Sequence, residues 1–170
     1  SEVYVSFGNL RSINIYILGS AYKPGSYSVS LLSTLTNALF VSGGVDINGS
    51  LRNIQVNREG ETVATFDFYK LLLEGDTSQD VRLQQGDTIF IPVFKKTARV
   101  MGEFKRPGLF ELKDGDNLAN LIHYAGGLKT GKGKTAEIEL NRIDQGFRKR
   151  LKIKTSDKNS LSMLIDDGDN

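Results

Sequence analysis

Ile13, Ile15 and Ile17 alternate with Asn14 and Tyr16, the period of two that turns one face of a strand into a core and leaves the other outside. Pro24-Gly25 then makes a turn, proline setting φ and glycine accepting the backbone that follows. Tyr27 and Val29 resume the alternation as a short second strand, both on the core side. Ser33 stands where a helix cap is expected, ahead of Leu35, Ala38 and Leu39 on one helical face, and Gly43 ends that helix. Ile54 with Val56 and Val63 with Thr65 flank Asn57–Gly60 as a hairpin. Asp67 caps a helix of one or two turns that stops at Gly75. Val81 with Leu83 and Ile89 with Ile91, on either side of Gly86-Asp87, are expected to form a last hairpin closed by Pro92.

The same pattern then starts again. With a shift of 83 positions, Leu18-Gly19 falls on Met101-Gly102, Pro24-Gly25 on Pro107-Gly108, Tyr27 on Phe110, Asn37 on Asn120 and Gly43-Gly44 on Gly126-Gly127. One inserted residue later Asn57-Arg58 falls on Asn141-Arg142, and Gly86-Asp87 matches Gly168-Asp169. In the second copy Asp116 is the expected cap, Leu118, Leu121 and Ile122 the apolar face, and Gly126 the stop. A fixed internal period means two copies of one structural unit. The element order fits an α+β class: two tandem β-grasp-like domains, each a mixed sheet packed on one main helix. The expected boundaries are an N-terminal extension over 1–12, a first domain over 13–94, a linker over 95–98 and a second domain over 99–170. Copy two reaches only Gly168-Asp169-Asn170, so its last strand is expected to be missing, leaving a free sheet edge for strand exchange. Val3, Val5 and Phe7 alternate ahead of the first copy and are expected to add a strand to one of the sheets.

Composition narrows the function. Apolar residues at 39% and charged residues at 25% belong to a folded chain rather than a disordered one. The apolar runs Thr36–Val41 and Thr88–Phe94 are far short of the roughly 20 residues that span a bilayer, and no signal-peptide pattern opens the sequence as given. There is no cysteine, which removes disulfides, thiolate nucleophiles and cysteine metal sites. His123 is the lone histidine and aligns with Phe40, so it reads as a half-buried helix residue rather than a catalyst or ligand. Gly131-Lys132-Gly133-Lys134-Thr135 has Leu128 where a phosphate-binding loop requires glycine, and it follows a helix instead of opening one. Asp166 and Asp167 are adjacent and point to opposite faces of a strand, and Glu137 and Glu139 share a strand face with no cleft to mark it. No catalytic residue, cofactor site or metal site is expected, and the chain reads as no enzyme.

Ile17-Leu18-Gly19, Lys23-Pro24-Gly25-Ser26-Tyr27 and Ser42-Gly43-Gly44, with Val100-Met101-Gly102, Arg106-Pro107-Gly108-Leu109-Phe110 and Tyr124-Ala125-Gly126-Gly127, resemble the soluble-ligand-binding β-grasp (SLBB) domain. Asp80 through Pro92 resembles the end of that domain in the bacterial outer-membrane polysaccharide export family (Wza-like and KpsD-like proteins). The resemblance implies periplasmic domains, associated with the outer membrane through other parts of the protein, in a ring of identical subunits around a polysaccharide channel. That family's amino-terminal export domain, lipid-attachment cysteine and membrane-spanning carboxy-terminal helix have no counterpart in these residues. The implied partners are a polysaccharide, acidic in one version, and other subunits of the export complex. The alternative is a monomeric β-grasp module that binds a small soluble ligand or saccharide, or docks another envelope protein.

Charge locates the expected contacts. Residues 1–95 carry seven Lys and Arg against nine Asp and Glu, and residues 96–170 carry fifteen against eleven. Arg148, Arg150, Lys152 and Lys154 alternate with Phe147, Lys149, Leu151 and Ile153, so a strand here sets four cations on one face. Such a row faces water, an acidic glycan or a neighbouring subunit, since burying unpaired charge is costly; Lys129, Lys132 and Lys134 add to the same field. The second expected contact is the loop before each Pro-Gly, with Tyr22 and Lys23 in one copy and Phe104, Lys105 and Arg106 in the other. Aromatic faces beside hydrogen-bonding groups suit sugars and protein interfaces alike. Nucleic acid is not expected as a partner, since net charge is only +2 and no basic groove with interleaved aromatics emerges from the first copy.

Overall fold

The computed structural model describes residues 11–129 and 136–170, and the chain divides into two compact units between Val93 and Phe94. In the first unit the strands are β1 (Ser12–Gly19), β2 (Gly25–Ser30), β3 (Ile54–Arg58), β4 (Glu61–Phe66) and β5 (Thr88–Ile91), with helices α1 (Leu35–Ser42) and α2 (Phe68–Glu74). They form one five-stranded sheet in the order β2-β1-β5-β3-β4. Only β1 and β5 run parallel; the other neighbours are antiparallel. The core lies on one face. Ile13, Ile15, Ile17, Ile54, Val56, Ile89 and Ile91 meet Leu35, Ala38 and Leu39 of α1, with Phe66, Phe68 and Leu83 closing the sides. This is the mixed sheet on one main helix expected from the pattern.

Three details differ from the sequence expectation. The helix cap is Thr34, not Ser33: Thr34 and Asn37 form a reciprocal capping box, which satisfies amides that the first turn leaves free. In the second copy the cap is Asn117, paired likewise with Asn120, one residue beyond Asp116. Asp116 instead accepts from the Lys113 amide (2.8 Å) and the Tyr124 hydroxyl (3.0 Å). The third difference is topological. Val81 and Leu83 do not form a hairpin with β5; that stretch makes one isolated bridge, Arg82 to Thr34. β5 goes instead into the middle of the sheet, because Ile89 and Ile91 are apolar enough to be fully buried there.

The second unit holds β6 (Lys96–Val100), β7 (Gly108–Leu112), α3 (Leu118–Tyr124), β8 (Glu137–Asp144), β9 (Phe147–Lys154) and a single turn of helix, α4 (Lys158–Leu161). The stretch expected as a linker is strand from Lys96 onward. β6 pairs with β7 and β8 with β9, as two separate two-stranded sheets. Ala98, Val100, Leu118, Leu121, Leu140, Ile153 and Ile165 form the core between them and α3. β6 and β8 are therefore edge strands, each with one side unpaired by any other strand among the described residues. β5 is central in the first unit, whereas among the described residues of the second unit no strand joins β6 to β8. Val3, Val5 and Phe7 lie outside the described residues, as do Lys132 and Lys134.

The two copies share more than topology. The Arg58 guanidinium grips the fully buried Asp87 carboxylate through Nε (2.8 Å) and Nη2 (2.9 Å). Arg142 grips the buried Asp169 in the same way, at 3.0 and 2.6 Å. In each copy that carboxylate also accepts from a backbone amide three residues earlier, Gln84 or Asp166. A charge so placed needs both kinds of partner, because burial alone would be costly. The hydrogen bond it donates to Asp87 raises Arg58 above its ordinary pKa, and the one donated to Asp169 does the same for Arg142.

Candidate functional site

The cationic row sits on a well-defined hairpin. Asp144 faces Phe147, and the two residues between them, Gln145 (φ 50°) and Gly146 (φ 83°), are both left-handed. That is the tight turn whose twist matches the flanking strands. The first copy turns the same way through Glu59 (φ 52°) and Gly60 (φ 87°). The turn sets the register, and register decides which side chains meet. Ile138 opposite Ile153 and Leu140 opposite Leu151 lie on the core side. On the other side Glu137, Glu139, Asn141 and Ile143 face Lys154, Lys152, Arg150 and Arg148 in turn.

Arg148, Arg150, Lys152 and Lys154 are all exposed, but two of the four are neutralised. Arg150 pairs with Glu139 at 3.1 Å and Lys152 with Glu137 at 3.3 Å, each one step diagonally across the ladder. Arg148 and Lys154 have no ion pair among the described residues. Spacing alone exposes the cations; it does not show that two glutamates stand across from them. Lys149, on the core side, is bonded to Asp144 and holds that carboxyl below its ordinary range. Beside the row lies a recess of about 180 Å³ bordered by Arg142, Arg148, Arg150, Asn141 and Asn170. Arg142 is committed there to Asp169 and Asp166, which leaves Arg148 as its free guanidinium.

The loops before each Pro-Gly are alike in backbone and unlike in side chains. Tyr22 N–H donates to Gly44 O at 3.0 Å and Lys105 N–H to Gly127 O at 3.0 Å, so Lys105 takes the place of Tyr22. Arg106 then matches Lys23, and Phe104 matches Ala21. The Tyr22 ring is 60% exposed and lies over Gly43, where a Cβ would come within 2.7 Å of it; Lys23 Nζ is 5.8 Å from its centroid. Phe104 is not displayed beside a cation: it packs against the second core. Lys105 and Arg106 remain exposed and cover Gly126. These loop residues and the β8–β9 row occupy different elements.

The groups considered for catalysis have structural uses. Asp166 pairs with Arg142 and Asp167 accepts from the Thr97 amide at 2.8 Å. Glu137 and Glu139 serve the ladder, and His123 is exposed on α3 rather than half-buried. Among the described residues no cluster of His, Cys, Asp and Glu could hold a metal ion, and no helix is long and apolar enough to cross a membrane. The glycine-lysine segment 131–135 lies outside the described residues. Sequence reasoning missed the Arg58–Asp87 and Arg142–Asp169 contacts and also the buried pair of Arg52 with Asp67 at 3.3 Å, where Asp67 also caps α2 and Arg52 lies over the Tyr69 ring. Only the cap was signalled locally.

Comparison with known proteins agrees with the repeat. A family model described as SLBB domain matches residues 14–91, and a second model with the same description matches residues 97–151. The chain belongs to the SLBB domain family, in two tandem copies. Two curated Escherichia coli sequences, both named polysialic acid transport protein KpsD, are 29% identical to this SLBB pair over 114 residues. The match covers 66% of this chain and 20% of theirs, so the chain spans about a fifth of the length of those relatives. The expected resemblance to SLBB-bearing polysaccharide export proteins is thus supported both by the domain matches and by a relative whose name states polysaccharide transport.

Proposed function

We propose that this SLBB pair is a non-enzymatic module of a polysaccharide export complex, located in the periplasm beneath the outer membrane and lining the channel of a ring. The observation that carries the reading is the β8–β9 face, in a chain similar to a polysialic acid transport protein. Its hairpin holds six Lys and Arg against three Asp and Glu, and the face is exposed, with its register set by the Gln145-Gly146 turn. Exposed ion pairs contribute only about 0–1 kcal/mol each, so Glu137 and Glu139 can exchange their cations with a passing carboxylate. Weak, repeated contact suits a conduit, which must let its cargo leave as readily as it enters. An acidic glycan contacts Arg148 and Lys154 first, since neither has to give up a partner.

The test is affinity electrophoresis of the chain through gels containing polysialic acid or neutral dextran, at rising salt. Retardation is expected with the acidic polymer alone and fades as salt screens it. Arg148→Ala with Lys154→Ala should weaken it about three- to fivefold, from two exposed contacts of about 0.3–0.5 kcal/mol each. Lys152→Ala alone should matter less. Equal retardation by both polymers, or no effect of the double variant, would remove the glycan-contact reading. Sedimentation of this chain and of a version extended beyond Asn170 tests the ring: discrete closed oligomers support it, and monomers throughout count against it.

A further inference from the structure

The first domain packs α1 on one face of its sheet and leaves the other face open. Two rows cross the open face in register. Ser26, Tyr16, Thr88 and Asn57 make one, and Leu18, Phe90, Gln55 and Thr65 make the other. Tyr16, Leu18 and Phe90 form an apolar strip at its middle, 47%, 41% and 37% exposed. The Phe90 ring leans over Gly19, where a Cβ would come within 3.0 Å of it. The remaining positions of both rows carry hydroxyls or amides. Arg58 and Glu61, the charged residues of these strands, are register partners on the opposite side.

The fold does not impose this lack of charge. The second copy keeps the register: Thr97 lies opposite Glu111 as Asn14 lies opposite Ser28, and Glu139 opposite Lys152 as Gln55 opposite Thr65. Yet it carries Arg99 in the place of Tyr16, Glu111 for Ser28, Glu139 for Gln55 and Lys152 for Thr65. One repeat keeps this face free of charge and the other does not, in a chain of which 25% is charged. A polyanion or a charged peptide finds no counter-charge there. A protein partner is disfavoured by size. Five strands make a face of about 24 Å by about 17 Å, roughly 400 Å², half of the about 800 Å² that each partner gives to a stable protein interface.

We propose that this face binds an uncharged, extended saccharide chain, of the β-linked kind whose successive rings lie nearly in one plane. A pyranose ring is apolar above and below and hydroxylated around its rim. Its apolar sides suit the strip of Tyr16, Leu18 and Phe90, and its hydroxyls meet groups that both donate and accept, in Gln55, Asn57, Ser26 and Thr88. A coiled α-linked chain such as dextran lays few rings on an open face at once. The site belongs to a different domain from the β8–β9 row, and it stands whether or not that row meets an acidic glycan.

Amide NMR of the whole chain titrated with cellohexaose tests it, with dextran and polysialic acid as comparisons. Cellohexaose at millimolar concentration should shift the amides of β1 and β5 and leave those of β8 and β9 in place. Tyr16→Arg gives the first copy the residue type that the second carries at Arg99, so the fold accepts it. It should weaken binding about two- to tenfold, the range of one aromatic contact, while Tyr16→Phe should keep it. No shift with cellohexaose, or undiminished binding by Tyr16→Arg, overturns the proposal. Equal shifts of β1 and β5 with polysialic acid or dextran overturn the choice of an uncharged, extended chain. Shifts there that follow protein concentration without any sugar assign the face to a second copy of the chain, and overturn it as well.

Discussion

Gly19→Ala and Gly102→Ala are the same substitution at two positions with nearly identical backbones, φ +79° and +83°, and different surroundings. An L-residue in the left-handed region costs roughly 1–2 kcal/mol at either position. At Gly102 that is the whole effect, since the new methyl meets nothing within 4 Å. At Gly19 the methyl would sit 2.2 Å from the Ile91 carbonyl oxygen and 3.0 Å from the Phe90 ring. The obstruction is backbone in the central strand of the sheet, so relief requires moving β5 away from β1. Overpacking of this kind adds about 1–3 kcal/mol, which brings Gly19→Ala to about 2–5 kcal/mol against about 1–2 for Gly102→Ala. Native-state hydrogen exchange resolves the two domains and gives the opening free energy of each core. The first domain should lose markedly more in its variant than the second domain loses in its own. Equal losses would refute the reasoning, because they would mean that the passing carbonyl is not what requires glycine.

Two further predictions concern the helix caps and acid. Asn117→Ala should destabilise the second domain by about 1 kcal/mol, the usual worth of a cap, while Ser33→Ala should change the first by less than about 0.5 kcal/mol; urea titrations of each variant compare the midpoints. Lys96 holds Asp114 below its ordinary pKa of 3.8, and the Ser160 hydroxyl does the same for Asp157. A carboxyl lowered by folding adds stability above its unfolded pKa and loses it as pH falls through the folded one. Thermal melts at about pH 7, 5 and 3 should therefore show these contributions intact at the first two and declining at the third. Asp157→Asn should narrow that acid loss, and an unchanged loss would show that the Asp157 cap does not take part.

The elements that could be read from the chain were the ones with local causes. Alternation at Ile13, Ile15 and Ile17 predicts a strand buried on one face, and all three are buried. Gly43, at φ +90°, ends α1 as expected. The cap positions were misplaced by one residue because Ser33 and Thr34, or Asp116 and Asn117, are chemically equivalent candidates. Only the reciprocal bond to Asn37 or Asn120 separates them. The last hairpin was misread for a different reason. Gly86-Asp87 has the form of a hairpin turn, but the partners of β5 are β1 and β3, far away in sequence, and no local pattern encodes that choice. In the β8–β9 face the cations were legible, while their pairing with Glu137 and Glu139 depends on a register set by Gln145-Gly146.

The sequence by itself therefore determined the repeat, the α+β class, the identity of most core positions and the location of the basic row, since each depends on neighbours within a turn or a strand. The tertiary structure alone decided that β5 is central in the first domain and that β6 and β8 belong to separate two-stranded sheets in the second. It also joined Arg58 to Asp87 and Arg142 to Asp169, residues whose repetition is visible in the chain but whose contact is not. Backbone hydrogen bonds and buried carboxylates take whatever partner the packed core brings to them, and that partner is chosen by the whole fold rather than by the segment.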